Sequence, residues 1–203
     1  MKIQFVCNRE DNNHCLQASL MMAAATVGHS ISWEEVDQLS SYEANYYTWA
    51  STVIVPFSKI VPGSKLISSM DYQAFSEQGE DYLRQSWPPE WLEDQQNHSS
   101  PNFKKEQEAA KEAVRMGLIQ KATCQLADLE NLLKNNLLIV LVDAGKLAGE
   151  NYSSGHYVFV YNSDNKNFML HDPGLPGYKK WKVAKDLFIS AFRGDVIVVP
   201  KKL

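Results

Sequence analysis

Apolar residues recur at helical spacing in the first part of the chain and gather into runs of strand formers in the last third. The opening Ile3-Gln4-Phe5-Val6 predicts a short strand, and the polar residues 8–14 predict a loop behind it. Leu16, Leu20, Ala24 and Val27 fall on one side of a helical repeat, so the loop feeds a buried helix that Gly28 closes. Ser32-Trp33-Glu34-Glu35 has the capping-box form and starts a second helix running to about Leu39. Residues 47–60 are again apolar, but Pro56 and the β-branched run Thr52-Val53-Ile54-Val55 leave helix and strand both open there.

Beyond this point the pattern weakens. Residues 65–69 predict a strand, and a polar, aromatic-rich stretch follows with Pro88-Pro89 and Ser99-Ser100-Pro101. Residues 62–116 therefore read as an insertion or lid within a single domain that covers 1–203. Its last part, 102–116, is rich in Glu, Lys and Ala and predicts a surface helix closed by Gly117, with Glu106 and Lys111 on a solvated face. A short helix is expected over 126–133, with Asp128 and Glu130 near its positive end. Strand formers then dominate at 137–142, 157–161, 168–170 and 196–199, with one more helical repeat between the last two. Helices first and sheet last is the α+β class.

Composition narrows the partners. The 203 residues are 44% hydrophobic and 22% charged, with a net charge of −4 and an isoelectric point near 5.7. That is a globular composition with no basic footprint for nucleic acid or an anionic membrane. The opening residues lack the apolar stretch of a signal peptide, so a cytoplasmic location is expected. Cys7, Cys15 and Cys124 are odd in number and widely spaced, which fits free thiols in a reducing compartment.

Cys15 stands where the polar loop becomes the apolar helix, so its sulfur is expected at a helix N-terminus, where unpaired N–H groups favour a thiolate. A lone cysteine is more often a small buried hydrophobe, and position alone leaves both readings open. His156 begins a strand that turns at 162–167 and returns to Asp172. In such a hairpin His156 falls opposite Asp172 or one residue diagonal to it, which pairs an imidazole with a carboxylate. A carboxylate there fixes the ring's tautomer and supports the imidazolium formed when the ring takes a thiol proton. His171 alternates to the other face of its strand and reads as a bystander, while His14 reads as a solvated loop residue. A zinc site built from Cys7, His14, Cys15 and His171 lacks paired ligand spacing, so neither metal nor cofactor is expected.

Three groups of segments occur in a telling order. They are Phe5-Val6-Cys7-Asn8 with Asn13-His14-Cys15 and Ala18-Ser19-Leu20; residues 138–143 with Ser154-Gly155-His156-Tyr157-Val158; and Leu170-His171-Asp172-Pro173-Gly174 with Leu187-Phe188. Together they resemble the papain-like cysteine peptidases, in the branch related to the bacteriocin-processing, double-glycine leader peptidases and its stand-alone bacterial members. Asp71-Tyr72-Gln73-Ala74-Phe75 and Gly79-Glu80-Asp81-Tyr82-Leu83 resemble the spacer of those members, so the likeness spans most of the chain.

The resemblance implies a nucleophile at the N-terminus of a helix packed on an antiparallel sheet. It implies Cys15 as nucleophile, His156 as general base and then acid, and Asp172 as the orienting carboxylate. The family places a Gln before the nucleophile to complete an oxyanion hole; no Gln lies between Asn8 and His14 here, and Asn8 stands nearest that place, with Asn12 or Asn13 as substitutes. Leu16-Gln17 after the nucleophile, where a small Gly is frequent, is a second departure. The expected activity is thiol-dependent hydrolysis of a peptide or other amide bond. The rivals are acyl transfer through the same three residues and a catalytically silent binding module, and the oligomeric state is left open.

Overall fold

The computed structural model describes residues 3–201. Met1 and Lys2, on which part of the signal-peptide reading falls, lie outside the described residues. Three helices come first: α1 (Cys15–Thr26), α2 (Trp33–Ser40) and α3 (Ala50–Ile60). Strand β1 (Lys65–Ser68) leads into α4 (Tyr72–Gln78), α5 (Glu80–Ser86) and α6 (Pro89–Asn97), then a 3-10 turn and α7 (Lys104–Arg115). The rest is β2 (Ile119–Lys121), α8 (Leu126–Asn135), β3 (Asn136–Asp143), α9 (Ala144–Ala148), β4 (Gly155–Ser163), β5 (Asn167–Asp172), β6 (Tyr178–Ala184), α10 (Lys185–Ala191) and β7 (Phe192–Pro200).

The strands form one sheet in the order β2-β1-β7-β3-β4-β5-β6, antiparallel throughout except for the β1–β2 pair. Alternating side chains of its long strands feed two apolar clusters. On one side Leu137, Ile139, Phe159, Ile197 and Val199 pack against Leu16, Leu20, Val53, Ile54 and Phe57 of α1 and α3. On the other, Leu138, Val140, Val158, Val198 and Leu170 meet Leu129, Leu133 and Phe188 of α8 and α10. The sheet is thus covered on both faces, which explains why β3 and β7 read as nearly continuous apolar runs. Among the described residues no helix is long and apolar enough to cross a membrane.

The helical layer follows its caps. Ser32 and Glu35 make the expected reciprocal capping box, and Gly28, at φ +99, ends the turn beyond α1. The open choice at residues 47–60 resolves as helix: α3 keeps Pro56 inside because Val53, Ile54 and Phe57 bury a full face, and packing outweighs the lost backbone bond.

Two expectations fail. Residues 3–6 form no strand; Phe5 instead sets its ring edge-on against His171 at 5.3 Å, and the backbone is tied down further along, where Asn8 N–H donates to Pro173 O at 2.7 Å. Glu106 is no solvated residue: it is 2% exposed and accepts hydrogen bonds from the Ser100 N–H at 3.2 Å and the Ser100 hydroxyl. It holds the turn that starts α7.

Glu106→Ala leaves the buried Ser100 N–H unpaired and is expected to cost about 1–3 kcal/mol, whereas Lys111→Ala on the exposed face stays within about 0.5 kcal/mol. Urea unfolding checks this through a shift of the midpoint at unchanged slope.

Candidate active site

Cys15 is the first residue of α1, with His14 at the N-cap. His14 offers no side-chain cap, so the open N–H groups of the first turn face the sulfur's end of the helix. His156 lies one residue into β4, opposite Val142 of β3, and α1 packs on these central strands. Asp172 is the last residue of β5, and its Oδ1 is 2.6 Å from His156 Nε2. The same carboxylate oxygen accepts the Gly174 N–H at 2.8 Å, so it is anchored from the turn that follows.

The hairpin reaches this pairing by a different register from the one expected. Phe159 faces His171 and Val160 faces Leu170, with a bulge before Asn162, so the ladder points Asp172 at Val158 instead of His156. The two side chains meet on a longer diagonal across the strand ends, within reach of long polar groups.

Because Asp172 occupies Nε2, Nδ1 is the ring nitrogen left for Cys15. Burial works to raise the Cys15 pKa, but the hydrogen bonding and charge of His156, with the N–H groups of Tyr157 and Leu16, outweigh it and hold the thiol below its ordinary value. Burial likewise opposes the imidazolium of His156, yet Asp172 and the Cys15 sulfur raise its pKa to about 10. Each shift favours the charged form of the other group, so both act toward a thiolate beside an imidazolium.

Asn8 is also drawn to the site. Its Oδ1 accepts the N–H groups of Arg9 at 2.9 Å and His14 at 2.8 Å, and its Nδ2 donates to Asn12 Oδ1 at 3.1 Å. The amide is thereby fixed to the residue directly before Cys15. Asn13 is turned away, donating through Nδ2 to Tyr46 O at 3.2 Å. Leu16 packs into the core at 1% exposure, in the apolar cluster against which Cys15 also rests.

His14 departs from its solvated reading. It is 1% exposed, with Nδ1 2.9 Å from Asp11 Oδ1, Nε2 3.4 Å from Asp37 Oδ1, and its ring between Tyr42 and Trp33. Arg9 joins Asp37 at 2.9 Å and lies over Trp33, closing the loop into a compact polar knot. Sequence alone gave no sign of this, because Asp37, Tyr42 and Trp33 come from the next helix and its exit. His171 does point away from Asp172, into Phe5, Phe159 and Tyr161; its Nδ1 accepts the Lys180 N–H at 2.9 Å, and burial with the charges of Lys180 and Lys179 lowers its pKa to about 4. Cys7 is exposed and Cys124 is buried on the opposite side of the sheet. Among the described residues no group of three or more His, Cys, Asp or Glu side chains is arranged to hold a metal.

No family model matches the chain, and no curated protein matches it. Among solved structures it is similar to the peptidase domain of Streptococcus ComA, a bi-functional ABC transporter involved in a quorum sensing pathway. The identity is 17%, the match covers 98% of this chain and 99% of that one, and the TM-score is 0.51. The chain has the papain-like fold. Identity this low speaks for the α+β architecture and its strand and helix order, and the chemistry rests on the residues described above.

Alkylation by iodoacetamide separates the thiols. Cys15 is expected to reach thiolate-like rates at lower pH than Cys124, whose pKa burial holds up. The sign follows from the pair: it is present above the depressed Cys15 pKa and is lost as pH rises through about 10, where His156 deprotonates. Equal rate profiles for the two residues contradict this electrostatic description.

Proposed function

We propose that the protein is a thiol-dependent hydrolase of peptide or other amide bonds, with Cys15 as nucleophile, His156 as general acid and base, and Asp172 as orienting carboxylate. The observation that carries this reading is the 2.6 Å bond between His156 Nε2 and Asp172 Oδ1, made by a ring that also lowers the pKa of a cysteine at a helix N-terminus. The peptidase-domain fold agrees with it.

In the first step the Cys15 thiolate attacks the carbonyl carbon, a C–S bond forms, and the carbonyl electron pair moves onto oxygen. That oxygen accepts the Cys15 N–H and the second Nδ2 hydrogen of Asn8, which has no partner among the described residues. Asn8 in this role replaces the longer Gln of the family, and its two backbone N–H bonds keep the shorter side chain in place. His156 then gives its proton to the leaving nitrogen, the C–N bond breaks, and an acyl thioester on Cys15 remains. Water enters, His156 takes one of its protons, the hydroxide oxygen bonds to the acyl carbon, and the thiolate departs. Asp172 holds the ring's tautomer and orientation through both halves.

Acid quenching during turnover of a peptide mixture, followed by intact-mass measurement, is expected to reveal acyl adducts on Cys15 and none on Cys15→Ala. Asp172→Asn is expected to slow turnover by about 10²–10⁴, and Asn8→Ala by about 10²–10³. Cleavage that survives Cys15→Ala contradicts the reading, and products that require an added amine or thiol in place of water assign acyl transfer.

A further inference from the structure

Next to His156 lies a group of side chains that the hydrolytic steps do not use. Three neighbouring strands end together there: Val142 of β3 pairs with His156 on one side and with Phe192 on the other, and Asp143 pairs with Gly155. Arg193, following Phe192, reaches across the end of β3. Its Nη2 donates to Asp143 Oδ2 at 2.9 Å and to the Ser153 hydroxyl, and Ser153 itself donates to the same carboxylate oxygen at 2.6 Å. Its Nη1 arrives 3.5 Å from where a Cβ on Gly155 would stand, a space that any other residue would fill.

The guanidinium is thus used through Nη2 only. Nη1 has no hydrogen-bond acceptor among the described residues, although the Arg193 side chain is just 23% exposed. The face of the group lies over Trp91 of α6, 5.4 Å from the ring centroid, and Trp91 is 50% exposed. An arginine held flat by an aromatic ring and a buried carboxylate, with its Nη1 N–H groups open, is preorganised for another anion. His156, the next residue on β4 after Gly155, indicates what that anion would belong to. In the proposed reaction His156 hands its proton to the leaving nitrogen, so the leaving side of the scissile bond is the part of a substrate nearest this end of the strand.

We propose that Arg193, backed by Trp91 and opened by Gly155, selects substrates with a carboxylate on the leaving side of the cleaved bond, either an Asp or Glu side chain or the terminal carboxylate itself. This rests on the hydrolase reading above. Asp143 takes the Nη2 edge and keeps the guanidinium oriented, and the substrate carboxylate takes Nη1. Arg193 is a specificity residue and not part of the bond-breaking machinery.

The test is cleavage of a cell-extract peptide library by wild type, Arg193→Gln and Arg193→Lys, with Cys15→Ala as background and new termini read by mass spectrometry. Wild type is expected to favour acidic leaving segments by about tenfold, the free energy of roughly one charge-assisted hydrogen bond. Arg193→Gln loses that preference while cleavage of neutral sequences continues, and Arg193→Lys keeps only part of it because a point charge lacks the planar edge. Cuts ahead of internal Asp or Glu assign the side chain, whereas cuts confined to the last residues of peptides assign the terminal carboxylate. No acidic preference in wild type, or the same preference in Arg193→Gln, overturns the proposal.

A separate arm covers failure of the hydrolase reading. Binding of Ac-Ala-Ala-Asp-NH2, Ac-Ala-Ala-Asn-NH2 and Ac-Ala-Ala-Asn-OH to Cys15→Ala is followed by tryptophan fluorescence. Tighter binding of the acidic probes, abolished by adding Arg193→Gln, supports the anion site even where wild type cleaves nothing. Equal binding of all three overturns it.

Discussion

The bond between His156 and Asp172 is the constraint around which the rest of the site is arranged. It fixes which ring nitrogen faces Cys15, and with the sulfur it holds the imidazole charged against the cost of burial. Neither residue is placed by a loop. His156 is carried by β4 and Asp172 by β5, two strands inside a sheet covered on both faces, and the Gly174 N–H pins the carboxylate from beyond the strand end. The apolar clusters under the sheet therefore set the geometry of the charged groups at its edge.

The other partner, Cys15, depends on a different kind of support. Residues 8–14 are polar, and their order comes from hydrogen bonds and ion pairs: Asn8 caps two backbone N–H groups, His14 Nδ1 meets Asp11, Arg9 pairs with Asp37, and Tyr42 packs on the His14 ring. This knot ties the start of α1, where Cys15 stands, to α2 and to Asn8. Arg193, near the start of β7, is held by a comparable arrangement around Asp143. Polar side chains with at least two restraints each thus stand at the start of α1 and at the end of β3.

Much of this was legible in the sequence wherever a local rule applied. Helical spacing, Gly28 and the Ser32 capping box gave α1 and α2 because each signal lies within a few residues. β2 and β6 were not legible: Ile119-Gln120-Lys121 is too short for a pattern, and Tyr178-Lys179-Lys180-Trp181-Lys182 is an exposed edge strand whose lysines mask it and protect it from pairing further. The residue types at 15, 156 and 172 pointed to acyl chemistry, and the structure brings those side chains together, although a bulge displaces the hairpin register. The burial of His14 and Glu106 and the surroundings of Arg193 escaped, since each is decided by partners from remote segments. No periodicity records such contacts.

The pKa shifts of Cys15 and His156 act together toward a thiolate–imidazolium pair supported by Asp172. The most direct measurement is 15N NMR of the His156 ring across a pH titration, compared between wild type and Cys15→Ala. A doubly protonated ring through neutral pH that titrates near 10 is expected, with a lower pKa once the sulfur is removed. A neutral His156 ring at pH 7 in the wild-type protein, unchanged by loss of the thiol, would contradict it.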